Sequence, residues 1–158
     1  ISNRIYGPET SHYLTPLVIG HEDKLSPPIR RRLKWPQPTM AEYLDATQDL
    51  DRFRHAVTLY FDKYDVLLCP TGPVTAHPHD SIEIDIGGEK MPGRHALQAT
   101  IPFDLTGSPA ISVPFSWSDE GLPIGVQLAG RHFEETTLLR VAATLESTRD
   151  DPRRRPIP

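Results

Sequence analysis

The sequence predicts an α/β fold built in layers, and three observations carry that reading. Amphipathic segments of helical period alternate with short continuous apolar runs of strand length. The 17 prolines are about twice the ~5% share of an average protein, so the elements are short and well punctuated. At 158 residues, 37% hydrophobic and 24% charged, the chain suits one globular domain that buries about two thirds of its unfolded surface.

Residues 8–34 read as one or two short helices, with Pro27 and Pro28 placed to open the second. The run Trp35-Pro36-Gln37-Pro38 then breaks the pattern. Thr39 follows as an N-cap, and Glu42 stands three residues on, the spacing of a capping box. From Met40 the apolar residues Tyr43, Leu44, Leu50, Phe53, Val57, Tyr60, Phe61 and Tyr64 recur at helical spacing, while Asp45, Gln48, Asp49 and Arg52 fall on the other side. This helix is expected to end near Tyr64 or Asp65.

Val66-Leu67-Leu68-Cys69, closed by Pro70-Thr71-Gly72-Pro73, reads as a strand buried on both faces. Residues 73–99 are expected to be mostly loop, with Ile82, Ile84 and Ile86 alternating with acids as a small exposed strand. Core strands follow at residues 110–115 and 122–129, joined by the turn Asp119-Glu120-Gly121 and therefore antiparallel neighbours. In the later strand Ile124, Val126 and Leu128 share one face, with Gly125 and Gln127 on the other. A last helix is expected over residues 134–146, with Leu138, Val141, Ala142 and Leu145 as its inner stripe. The domain is expected to span residues 1–148, and the charged, proline-rich residues 149–158 to be a disordered tail.

Composition excludes several function classes. A net charge of -4 gives no electrostatic basis for nucleic acid or for an anionic membrane surface. The runs Arg30-Arg31-Arg32 and Arg153-Arg154-Arg155 read as a solvated helix face and a tail. No apolar stretch approaches the ~20 residues of a membrane span. The single cysteine, Cys69, rules out an internal disulfide, fits a reducing, cytoplasmic setting, and sits in an apolar run as a small buried thiol. No phosphate-binding glycine loop or dinucleotide fingerprint is present, so no cofactor is expected. His77-Pro78-His79-Asp80 holds metal-ligand chemistry, but the intervening proline and the want of a third convergent ligand argue against a metal.

Nucleophilic catalysis needs an activated nucleophile and oxyanion donors. The chain has no adjacent Ser-Ser pair and no loop rich in glycine and serine. Its four lysines, Lys24, Lys34, Lys63 and Lys90, lie in polar or helix-surface contexts. No catalytic residue is therefore assigned.

One further pattern spans roughly half of the chain. Asp65-Val66-Leu67-Leu68 is followed by Pro70-Thr71 and Pro73. Thr100-Ile101-Pro102-Phe103 leads into Leu105-Thr106-Gly107-Ser108-Pro109-Ala110 and then Ser112-Val113-Pro114. Gly121-Leu122-Pro123-Ile124-Gly125-Val126-Gln127-Leu128 and the closing helix complete it. In order and spacing these pieces resemble the closing segment of the amidase signature family, enzymes that hydrolyse or transfer amide groups with a lysine and two serines. The resemblance implies a layered α/β/α arrangement around a mixed sheet, of which this chain holds the C-terminal part. It implies an amide substrate, no metal, and an isolated chain without activity. A sequence opening on Ile1 rather than methionine fits a portion of a longer polypeptide. By the same resemblance, Leu97, Gln98, Thr100, Ile101 and Phe103 are the residues bordering the acyl pocket. The glutamine-using amidotransferases of the family commonly carry an acid there, whereas Ala96-Leu97-Gln98 has none. That favours a less polar acyl group over glutamine, although Leu97 and Phe103 equally suit a core. A fragment of a larger sheet is also expected to expose an apolar face and to self-associate.

Overall fold

A computed structural model describes residues 1–79 and 81–149; the expected tail and Asp80 lie outside the described residues, apart from Arg149. The chain forms two compact units, Ile1–His55 and Ala56–Pro158.

The first unit is helical. Helix α1 (Ser2–Val18) begins upstream of the expected start at residue 8 and carries Pro8 and Pro16 inside it. Helix α2 (Pro27–Leu33) opens on the proline pair, as the missing N–H at a first helical position allows. Trp35 receives the Arg32 guanidinium over its ring at 4.7 Å. Helix α3 (Met40–Phe61) starts in the second half of this unit and ends in the other. Its N-terminus is the capping box read from the sequence. The Thr39 N–H donates to Glu42 Oε2 at 2.8 Å, and the Glu42 N–H donates back to Thr39 Oγ1 at 3.2 Å. Tyr43 donates its hydroxyl to Glu9 on α1 at 3.0 Å.

The apolar stripe of α3 is narrower than the sequence implies. Ala46, Leu50 and Phe61 are buried and Phe53 and Val57 half-buried, one line at helical spacing. Met40, Leu44 and Tyr60 lie off that line and are exposed. The helix stops three residues before Tyr64 because its last turn tightens. Lys63 and Tyr64 both donate to Tyr60 O, and Arg131 Nε donates to the Phe61 carbonyl at 3.0 Å, a cationic C-cap.

The second unit is a three-stranded antiparallel sheet covered by helices. Strands β1 (Val66–Pro70), β4 (Ala110–Trp117) and β5 (Pro123–Gly130) pair in the order β1-β5-β4, with Val66 opposite Gly130 and Ala110 opposite Ala129. The antiparallel β4–β5 pair is the one expected from the Asp119-Glu120-Gly121 turn. Strand β1 corrects the expectation of burial on both faces: Leu68 is 54% exposed. An apolar run marks a strand but not its neighbours, and β1 is an edge strand among the described residues.

Residues 73–99 hold more structure than a loop. Strands β2 (Glu83–Ile86) and β3 (Glu89–Pro92) form a two-stranded hairpin. It turns at Gly87-Gly88 with φ of 64° and 90°, the left-handed pair of a two-residue hairpin turn. Ile84 is buried rather than exposed. A 3₁₀ turn (Gly93–Leu97) and a short helix α4 (Ile101–Thr106) follow. Sequence periodicity does not reveal α4, because Pro102 obscures it, although a proline is tolerated in a first turn.

Helix α5 (Glu135–Ser147) covers one sheet face. Leu138 and Ala142 are buried against Val113 and Leu128, with Val66, Ile111, Val126, Val141 and Leu145 packed around them. On the other face Phe61 of α3 and Phe103 of α4 bury with Ala129, flanked by Val57, Leu67 and Cys69. Helix, sheet and helix are therefore layered about β5, whose residues from Gln127 to Gly130 are all buried. Full burial of a side chain such as Leu128 contributes about 1.5–3 kcal/mol.

Candidate functional site

Cross-strand partners share a sheet face, so the register fixes what lies beside what. Cys69, Gln127 and Ser112 form one row across β1, β5 and β4. One step further the Thr71 N–H donates to Gly125 O at 3.2 Å, and Pro114 stands opposite Gly125. At this end the sheet surface is therefore polar or small where the other end packs on Phe61 and Phe103.

Two hydroxyls close the row: Thr71 Oγ1 and Ser112 Oγ are 2.8 Å apart, bonded across the intervening strand. The strand between them can only carry glycine comfortably. A Cβ at Gly125 would stand 3.0 Å from Thr71 Oγ1 and 3.1 Å from Ser112 Oγ, so the missing side chain is what leaves room for the hydroxyl pair.

Above this floor is an open cleft of about 720 Å³, bounded by Pro70, Pro73, Val74, Leu97, Thr100 and Ile124 among others. Among the described residues, no acidic or basic side chain lines it. Thr71 and Ser112 thus have no general base among the lining residues, and the arrangement can bind and shape a ligand rather than attack it.

The five residues assigned to a pocket from the sequence are not all brought together. Leu97, 56% exposed, and Thr100 line the cleft. Gln98 is exposed and bonds the neighbouring His95 ring. Ile101 is half-buried at the start of α4, and Phe103 is buried in the core beside Phe61 and Ala129. Sequence reasoning misses Thr71, Ser112 and Gly125 as site residues. The period-two alternation of β5 does set Gly125 and Gln127 on one face, but the partners opposite them follow only from the register. Elsewhere, His77 Nδ1 lies 3.2 Å from the Pro78 carbonyl. No group of three or more His, Cys, Asp or Glu is placed to hold a metal ion among the described residues. No described helix is long and apolar enough to cross a membrane.

The family model described as Amidase matches residues 20–139, which takes in α2, α3, the whole sheet and the cleft. The chain belongs to the amidase signature family. It is 38% identical over 120 residues to a fatty acid amide hydrolase of Medicago truncatula, covering 75% of this chain and 20% of the relative. Against a glutamyl-tRNA(Gln) amidotransferase subunit of Desulforamulus reducens it is 43% identical over 111 residues, 69% of this chain and 20% of that one. A crystal structure of an amidase superposes with a TM-score of 0.81 at 26% identity, over 91% of this chain and 33% of the other. This member of the amidase signature family therefore spans about a fifth of the curated relatives it matches, and its α/β fold is the one its solved relatives share.

Proposed function

We propose that this chain is the C-terminal part of an amidase signature amidohydrolase and forms one wall of its acyl pocket. In the complete enzyme a serine activated by the lysine system attacks the amide carbonyl. The acyl–oxygen bond forms, ammonia or amine leaves with a proton, and water then releases the acid. The serines and lysine come from another part of the polypeptide, since this sequence has no Ser-Ser pair and no lysine in the cleft. The observation that supports the reading most is the uncharged cleft, set within the residues matched by the family model. An occupant without charge suits it, because an ion would leave its hydration shell for proline and aliphatic walls. Leu97 and Thr100 are the assigned residues that contact this occupant; Gln98, Ile101 and Phe103 support the segment that carries them. The single cysteine favours a cytoplasmic setting.

A second reading has a specific observation behind it, the 38–46% identity to the corresponding subunit of several glutamyl-tRNA(Gln) amidotransferases. Glutamine would then be the amide, which the absence of an acid among Ala96, Leu97 and Gln98 disfavours. A non-catalytic binding module is the third.

Ammonia release by the full-length polypeptide from aliphatic, aryl and glutamine amides separates them. Turnover of uncharged amides, with none by the 158-residue chain alone, is expected. Activity confined to glutamine would move the assignment to the amidotransferase component. An upstream reading frame without a lysine and a Ser-Ser loop would leave the non-catalytic module.

A further inference from the structure

Gln127 sits in β5 with only 4% of its surface exposed. A buried carboxamide must satisfy its donors within the protein. Its Nε2 donates to the Ala99 carbonyl at 2.9 Å and lies 3.4 Å from Cys69 Sγ, so both amide hydrogens are engaged. Ala99 joins the 3₁₀ turn to α4, and the nearby Leu97 and Thr100 line the cleft. The other hydrogen bonds of residues 97–100 are local. Thr100 N and Oγ1 donate to Leu97 O, Gln98 pairs with His95, and Thr100 O accepts from residues 103 and 104. The Gln127 bond crosses 28 positions of sequence and ties this segment to the sheet whose next residues, Gly125 and Thr71, form the cleft floor.

We propose that Gln127 is a positioning residue of the pocket. Through the Ala99 carbonyl it holds the Leu97–Thr100 wall at a fixed distance from the Thr71–Ser112 floor and so sets the width offered to an uncharged acyl group. The inference rests on the reading of the cleft as an acyl pocket. The requirement is for a donor of this reach. A glutamate has the same shape but points oxygen at the Ala99 oxygen, and a methionine has similar volume with no donor. A positioned wall, rather than a merely present one, is what discrimination between similar acyl chains needs.

The test uses the 158-residue chain, its Gln127→Glu and Gln127→Met variants, and butanamide and hexanamide as probes, followed by amide NMR. The variants are expected to move the backbone resonances of Leu97, Ala99 and Thr100 while those of Leu138 and Ala142 stay in place. Hexanamide affinity is expected to fall about tenfold, equivalent to ~1.4 kcal/mol of binding free energy, as the wall moves, and the preference between the two chain lengths to change, which a loss of stability alone does not produce. In the unsubstituted chain the Gln127 side-chain NH₂ should exchange slowly with water, a readout independent of whether a variant folds. Rapid exchange of that group, or variants that bind both amides with unaltered preference, would overturn the proposal. Shifted wall resonances without hexanamide binding to the unsubstituted chain would instead remove the acyl-pocket reading and, with it, the width-setting role.

Discussion

Phe133 is the described non-glycine residue with a left-handed backbone, at φ 65°, and its ring is 92% exposed. It turns the chain out of β5 into α5 between His132 and Glu134. The left-handed region costs a residue with a Cβ about 1–2 kcal/mol, whereas a glycine there loses about 0.5–1 kcal/mol of backbone entropy. An exposed ring returns little packing to offset the difference. Phe133→Gly is therefore expected to stabilise the chain by up to about 1 kcal/mol, seen as a higher urea midpoint with an unchanged slope. A lower midpoint would mean that the ring has a packing role beyond its contact with His132. No sequence pattern announces this conformation, since the left-handed region ordinarily calls for glycine or asparagine. Gly125 is the contrasting case. Its identity is plain in the sequence, yet its reason, two hydroxyls converging from neighbouring strands, exists only once the register is known.

Helices are where local chemistry settles most. The Thr39–Glu42 capping box is legible because both partners lie within one turn, and so is the proline start of α2. The burial of β1 is not, because it depends on whether another strand lies alongside, and α4 is hidden by a proline at its start. The capping box also makes a pH-dependent contribution to α3. Donation from the Thr39 N–H and hydroxyl holds the Glu42 carboxyl below the ordinary value of 4.5, as hydrogen bonds to a carboxylate do. Because the folded value is the lower one, the contribution is complete above about pH 4.5 and is lost as pH falls through the depressed folded value. Thr39→Ala is expected to cost ~1 kcal/mol at neutral pH. Glu42→Gln should flatten the acid side of the stability curve, measured by urea unfolding between about pH 3 and about pH 7, a window that brackets the carboxylate range. A variant that keeps the original acid slope would show that Glu42 is not the group responsible.

At the scale of the molecule, the layered α/β class is readable because alternating periodicities survive whatever surrounds them. The cleft is readable only in part: Leu97 and Thr100 come from a family pattern, while its floor brings together Thr71 and Ser112, 41 residues apart in sequence, on either side of Gly125. The same sheet has a consequence for the isolated chain. Strand β1 pairs only with β5 among the described residues, leaving its outer N–H and C=O groups along an edge that also presents Leu68 at 54% exposure. An unpaired edge with an apolar side chain is a template for another strand, and we expect it to drive association of this chain with itself. Light scattering should report species larger than the 17.8 kDa monomer, increasing with concentration. Leu68→Lys places a charge where desolvation would oppose strand addition; Leu68 stands opposite Leu128 but is 54% exposed and outside the Leu128–Leu138 cluster, so a lysine there can reach solvent and leave that core in place. The expected result is a monomer whose stability stays within about 0.5 kcal/mol of the original. A chain already monomeric at high concentration would show that β1 does not recruit a second copy, and unchanged association in the lysine variant would place the contact on another surface.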